Sequence, residues 1–440
     1  MEFKINDVNT SEKELEATFA FDEIKKDLET EVQKQTKKLQ IPGFRKGKVP
    51  PTLLKKMFGD AFDQEASEKV ASKKFWDVAE ENHLHPIGKP TITDIKFTPN
   101  ESLFFKIVYE VLPQIEAKDY KGNDIEVPDL VVKDEDIDHE IKHILKANET
   151  FEPLETVSDI NCTLDVDIQR VDKDGNPFEG SKQETLQIDL SNERVAKEIV
   201  DNSKGKKVGD TFSFTFNDKR TLKNKNGEDE EITEVINYKA VIKAIKKSIL
   251  PVLDETLIKK VTKDKVSTEA ELKDEIRKDI QKYFDQQTED ILRSKLITQI
   301  IKNNEFNPPQ SLINNVIEDY VKREEEQYKK QGYKKYDKEE GKKRLAKSAE
   351  IEVKWFILNG AIQKQENISL SDEELNELAV KDAEQTGIAV DKLLNYYKSS
   401  NYAGKFVENK VFQFLKDNNN IKKVEPDKTH THNHEEHEHE

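Results

Sequence analysis

Little of this chain is apolar: of 440 residues 34% are hydrophobic and 37% charged, with a formal net charge of −17. Globular domains run at about 45 to 50% apolar and about 25% charged. One large core is therefore excluded, and long, thin or separated bodies fit better. Cysteine is almost absent. The single Cys162 has no partner for an internal disulfide, which points to a reducing, cytoplasmic setting. Long hydrophobic runs are missing as well. The best, "WFILNGAI" at 355–362, falls far short of the roughly 18 residues of a membrane span, so no membrane partner is expected. The opening "MEFKINDVNT" has no basic region followed by an apolar stretch, so nothing in it marks secretion. No G-x-x-x-x-G-K-[ST] occurs, so the phosphate cradle of an ATP-driven cycle is not indicated and no cofactor is expected.

What is present argues against disorder. The chain holds 21 Phe and 11 Tyr, and these recur with Ile and Leu at regular periods. A prior of roughly 150 residues per domain suggests about three domains, in a multidomain α+β arrangement. Residues 1–112 read as α+β. Leu15, Ala17, Phe19 and Phe21 alternate with polar residues as in a half-buried strand, whereas Ile24, Leu28, Val32 and Leu39 share one helical face. That helix should run from about Phe21 to Gln40, stopped by Pro42 and Gly43. A short helix on "PTLLKKMF", another over about 60–82 and two strands should complete this part. Residues 113–148 read as an acidic linker with one helix. Residues 149–248 switch to period 2, in Cys162, Leu164, Val166 and Ile168, then Leu186, Ile188 and Leu190, then Phe212, Phe214 and Phe216, then Tyr238, Ala240 and Ile242. A small β-rich domain is expected there. Residues 249–428 read as an elongated all-α domain, with capping boxes at Thr268/Glu271 and Ser371/Glu374. Residues 429–440 form a low-complexity tail.

One absence is local. Between Val32 and Gly59 there is no Asp or Glu, yet there are eight cations, Arg45, Lys46 and Lys48 among them. Lysines at a helix C-terminus complement its dipole, which covers Lys37 and Lys38 but not the cations beyond the helix. A Gly/Pro-shaped tip carrying cations and Phe44 suits phosphate oxygens or an acidic protein surface; a merely solvated loop is the alternative.

The octapeptide "GFRKGKVP" (43–50) closely resembles the ribosome-docking signature of the bacterial trigger factor family. "VLPQIEAKDYKG" (111–122), "LLNYYKSSN" and "VFQFLKDNNNI" are similar to that family's domain junction and to the end of its helical domain. The resemblance implies an ATP-independent chaperone at the ribosomal exit tunnel, with nascent and unfolded polypeptides as clients and a homodimer left open off the ribosome. It implies a ribosome-binding domain at 1–112, an FK506-binding-protein-like domain at 149–248 and a client-binding helical domain at 249–428. Ribosome contacts fall to Gly43, Phe44, Arg45, Lys46, Gly47, Lys48 and Pro50, which meet a tunnel-exit ribosomal protein and ribosomal RNA.

The resemblance also implies peptidyl-prolyl isomerase activity, and a folding catalyst is the alternative function. Such a site needs no acid, base or metal: aromatic walls favour the twisted amide and lower a barrier of about 18 to 20 kcal/mol. Phe178 and Tyr238 match two wall positions. The family's glycine-rich strand end and aromatic-Ile-Pro-Gly-aromatic run are replaced by "IDLSNERVAKEIVDN" (188–202), which has no Gly, Pro or aromatic residue. Isomerase activity is therefore expected to be weak or absent, and Phe212, Phe214 and Phe216 are expected in the core.

Two histidine patterns remain. "HEIKH" (139–143) matches H-E-x-x-H, but Ile137, Ile141, Ile144 and Leu145 define the buried face and turn His139 and His143 toward water, away from any dry zinc cavity. His430, His432, His434, His437 and His439 could hold a divalent metal loosely, or belong to a solubilising tail or an artificial tag.

Overall fold

The computed structural model describes residues 2–38, 51–192, 194–223, 229–333, 335–399 and 402–426. The chain divides into two compact units, one of Met1–Asp129 with Gln287–Glu440, the other of Leu130–Gln286.

The first unit opens with β1 (Glu2–Asp7), β2 (Glu12–Ala20), α1 (Phe21–Lys38), α2 (Pro51–Glu81), β3 (Ile87–Thr98) and β4 (Ser102–Glu110). The strands form an antiparallel sheet in the order β1-β2-β4-β3. Leu15, Ala17 and Phe19 of β2 stand opposite Ile107, Phe105 and Leu103 of β4, and all six are buried. Period-2 alternation leaves the other face polar, where Lys106 lies 3.0 Å from Glu16. Ile24 and Leu28 of α1 and Ala66, Val70, Phe75 and Val78 of α2 cover the apolar face. The two helices expected over 51–82 are one: α2 is unbroken from Pro51 to Glu81. An interior glycine costs a helix only about 1 kcal/mol, so Gly59 does not interrupt it. Pro51 suits the first position because no amide hydrogen is needed there.

After β5 (Asp124–Pro128) come α3 (Asp134–Ala147), β6 (Thr150–Leu154), β7 (Cys162–Val171), β8 (Pro177–Asp189), α4 (Lys197–Ser203), β9 (Thr211–Lys223), β10 (Asp229–Ile249), α5 (Glu255–Thr262) and α6 (Glu269–Asn303). Strands β6 to β10 form one sheet, in which the 21-residue β10 pairs with β6, β7 and β9. Cys162, Leu164, Val166, Ile168, Ala240, Ile242, Phe212 and Phe214 make its core. Thr150 pairs with Ile249, so this segment begins and ends at one point. Beside it, Ile137 of α3 packs with Ile258 of α5 and Leu272 and Ile276 of α6. The expected capping box is formed: the Thr268 backbone N–H donates to Glu271 over 3.0 Å and the Glu271 N–H to Thr268 Oγ1 over 3.3 Å.

The end of α6 returns to the first unit, followed by α7 (Gln310–Lys330), α8 (Lys338–Gln365), α9 (Asp372–Thr386), α10 (Val390–Ser399), α11 (Tyr402–Asp417) and β11 (Asn420–Val424). Ile313, Ile317 and Val321 of α7 pack on Ala349, Val353 and Ile357 of α8. A second core joins Leu296 and Ile300 of α6, Leu358 and Ile362 of α8 and Val411 and Leu415 of α11. Part of the stretch read as linker belongs to it. Ala117, Tyr120, Ile125 and Val127 are buried there, and β5 pairs in parallel with β11. The reason is non-local: residues 124–128 find their strand partner about 300 residues away, which no local pattern announces.

The sheet and the helical body are fastened at one helix start. Two α7 amides, of Gln310 and Ser311, donate to the Glu110 carboxylate at 2.7 and 3.0 Å. Two of the donors left open by a helix N-terminus are thus met from β4. Gly88 of β3 sits at φ +68°, where an added Cβ would lie 2.7 Å from Ser311 Cβ.

Candidate functional site

Three parts of the chain carry the residues singled out from the sequence. The first is the cationic stretch of sequence between α1 and α2. The flanking helices are joined by Asp27 of α1, 2.6 Å from Lys73 and 3.2 Å from Lys74 of α2. The hydrogen bond from Lys73, reinforced by Lys74, holds the Asp27 carboxyl below its ordinary value against the opposing effect of burial. Gly43, Phe44, Arg45, Lys46, Gly47, Lys48 and Pro50 lie outside the described residues, as do His430, His432, His434, His437 and His439 of the tail.

The second is on the β-rich sheet. Tyr238 of β10 stands opposite Arg170 of β7 on one side and Phe214 of β9 on the other. Its ring stacks on Phe214 at 5.3 Å, and the Arg170 guanidinium lies over the Phe178 ring at 5.3 Å. Phe178 and Tyr238, proposed as pocket walls, therefore sit in one aromatic row with Arg170 between them. Phe178 is 47% exposed, so the row is open at that end. Val195, Ile199 and Val200 pack against the sheet core from the 188–202 segment. The expectation that all three phenylalanines of β9 are core is corrected for one: Phe212 and Phe214 are buried but Phe216 is 52% exposed. It continues the alternation past the point where the core ends. Acidic side chains of β7 point to the opposite face, Asp165 to Lys246 at 2.7 Å and Asp167 to Lys243 at 3.2 Å. The Thr185 backbone N–H, then the two neighbouring lysines, keep the Asp167 carboxyl below its ordinary value. The aromatic row thus offers a shaped apolar surface, and these carboxylates are engaged elsewhere.

The third is the helical part. Of six aromatics there, Tyr397 is buried, Phe284 and Phe306 are half-buried in cores, and Phe406 packs edge-on against Tyr397 and Tyr402. Tyr320 is half-buried and donates to Glu352; burial and that bond push its hydroxyl up to about 12. Tyr396 alone of the six is largely exposed. Phe356 of α8, 61% exposed, was not singled out from sequence. Its signal was its place between Val353 and Ile357 on one seam and Leu358 and Ile362 on the other, which leaves it outside both.

His139 and His143 are both exposed on α3, as the helical face requires. Among the described residues no group of three or more His, Cys, Asp or Glu is placed to hold a metal. Among the same residues no helix is long and apolar enough to cross a membrane.

Residues 1–144 match the family model of the bacterial trigger factor protein, and residues 268–417 match the model of the trigger factor C-terminus. The chain belongs to the bacterial trigger factor family. It is similar to the trigger factor of Chlorobaculum parvum, 27% identical over 428 residues and covering 96% of this chain and 98% of that protein. The trigger factor of Chlorobaculum tepidum is 28% identical over 431 residues, with the same coverage. A solved structure of the trigger factor chaperone is 19% identical, covering 94% of this chain and 99% of that one at a TM-score of 0.47. A ribosome-associated chaperone role in protein folding comes with trigger factor membership, and the family carries a peptidyl-prolyl isomerase-type domain.

Proposed function

We propose that this trigger factor docks at the ribosomal exit tunnel through Gly43, Phe44, Arg45, Lys46, Gly47, Lys48 and Pro50, and shields emerging apolar segments without ATP. The observation that carries the reading is the acid-free cationic segment 32–59 in a chain of net charge −17, within the part that matches the N-terminal family model. An acidic body is repelled by ribosomal RNA except at such a tip, which orients the encounter. Arg45 and Lys46 supply attraction to RNA phosphates, and Phe44 fills a pocket on a tunnel-exit ribosomal protein. Exposed aromatics such as Phe356 and Tyr396 give clients apolar footholds amid charge. The same footholds would support a homodimer off the ribosome, and the setting is cytoplasmic. Phe44→Ala, Arg45→Ala and Lys46→Ala together are expected to abolish co-sedimentation with ribosomes while far-ultraviolet circular dichroism is unchanged. Undiminished co-sedimentation would overturn the assignment.

A second reading concerns the isomerase. We infer that the 149–248 segment is the family's FK506-binding-protein-like domain and that its activity is weak or absent. Phe178 and Tyr238 keep an aromatic row, but 188–202 brings aliphatic side chains and no aromatic to the facing segment. A proline-limited refolding assay decides it: little acceleration is expected, and strong acceleration lost on removing 149–248 would restore the enzyme.

A further inference from the structure

Among the exposed aromatics one group differs in its charge. The sequence "YKKQGYKKYDKEEGKKR" (328–344), where α7 turns into α8, holds three tyrosines and eight cations against three acids. The stretch around Tyr396, residues 372–398, is the reverse, with seven acids and three lysines. An apolar client foothold needs no such cationic setting.

The turn is also built. Gln331 ends α7, Gly332 takes φ +82°, and the Tyr333 N–H donates back to the Tyr328 carbonyl over 3.0 Å. Tyr328 and Tyr333 rings then lie 5.3 Å apart, and Tyr336 meets Tyr328 edge-on at 5.2 Å. Tyr336 is the anchor. Its hydroxyl donates to Glu324, which also receives Arg344 at 2.6 Å, and it closes over Gly341 of α8, where any Cβ would collide with it. This leaves Tyr328 42% and Tyr333 61% exposed. Several cations are already paired, Lys329 and Lys338 with Glu325 and Lys342 with Glu339. Lys330, Lys335 and Lys343 are exposed and have no ion-pair partner among the described residues.

We propose that this α7–α8 turn is a second polyanion site, which binds unpaired single-stranded RNA by stacking bases on Tyr328 and Tyr333 while Lys330, Lys335 and Lys343 meet the phosphates. Rigid aromatic faces interleaved with free cations are the arrangement that single strands require, because every base offers a stacking face and every linkage a charge. An acidic polypeptide would use the lysines but gain little from the paired rings. The site goes beyond the docking loop and does not depend on it.

The test uses the full chain carrying Phe44→Ala, Arg45→Ala and Lys46→Ala, with Lys34, Lys37, Lys38, Lys48, Lys55 and Lys56 also changed to Gln, so that the cations of the N-terminal segment contribute nothing. A labelled single-stranded RNA of about twelve nucleotides, within the footprint of such sites, is titrated by fluorescence anisotropy. Binding is expected to persist in this background. Adding Tyr328→Ala and Tyr333→Ala should weaken it at least about tenfold with the salt slope unchanged. Adding instead Lys330→Gln, Lys335→Gln and Lys343→Gln should lower that slope by about 2. Circular dichroism checks folding, and Tyr336 is left intact for that reason. RNA binding absent in the loop-deficient background, or unmoved by both sets of changes, would overturn the proposal. So would tighter binding of a polyglutamate peptide than of RNA. Ribosome co-sedimentation of the docking-loop variant is scored separately, so failure of either reading is visible by itself.

Discussion

Asp27 shows how much one side chain can do where two helices must be held together. Its carboxylate joins α1 to Lys73 and Lys74 of α2, and those cations hold it below its ordinary value. A depressed carboxyl contributes stability above its unfolded value of about 3.9, and loses it as pH falls toward the lower folded value. Asp27→Asn is expected to lower thermal stability at pH 7 and to flatten the fall between about pH 5 and pH 3, read from unfolding midpoints across that range. An acid limb as steep as in the wild type would remove Asp27 from the account. At this scale the sequence was uneven. Leu15 and Phe19 were legible because alternation is local, and the capping boxes because both partners lie within one turn. Phe216 was not, since the same alternation runs past the edge of a core that only other strands define.

Elements depend on neighbours that the sequence does not place beside them. α7 is preceded by Pro309, which has no capping side chain of its own, and the helix draws its cap from Glu110 at the end of β4. Loss of a helix cap costs about 1 kcal/mol. Glu110→Ala is therefore expected to speed amide hydrogen exchange at Gln310 and Ser311 without changing protection in β2 or β4. Equal protection at those two amides would show that water replaces the carboxylate at no cost. β5 makes the same point. Its residues read as linker because they are few and flanked by acids, yet Ile125 and Val127 are buried once β11 supplies the adjoining strand. The α2 helix is the opposite case: the sequence suggested two helices, on "PTLLKKMF" and over about 60–82, and the structure has one from Pro51 to Glu81.

For the whole molecule, the decisive geometry is that Thr150 and Ile249 are paired. A segment whose ends meet can be removed without stretching the chain that remains. Replacing 149–248 by a short flexible linker is expected to leave unfolding of the remainder cooperative and ribosome co-sedimentation undiminished. A remainder that aggregates or loses ribosome binding would show that the β-rich segment supports the rest. Sequence alone determined the composition-imposed absence of one large core, the α+β, β-rich and helical order of the chain, the acid-free cationic segment 32–59 and the resemblance to trigger factor, because each rests on composition or on spacings within a few turns. The tertiary structure alone decided that 117–128 is core, that Glu110 fastens the sheet to α7, that Phe178 and Tyr238 share a row, and that Tyr328 and Tyr333 stand exposed on an anchored turn. Those depend on which distant segments meet, and burial is a property of the meeting and not of either strand or helix by itself.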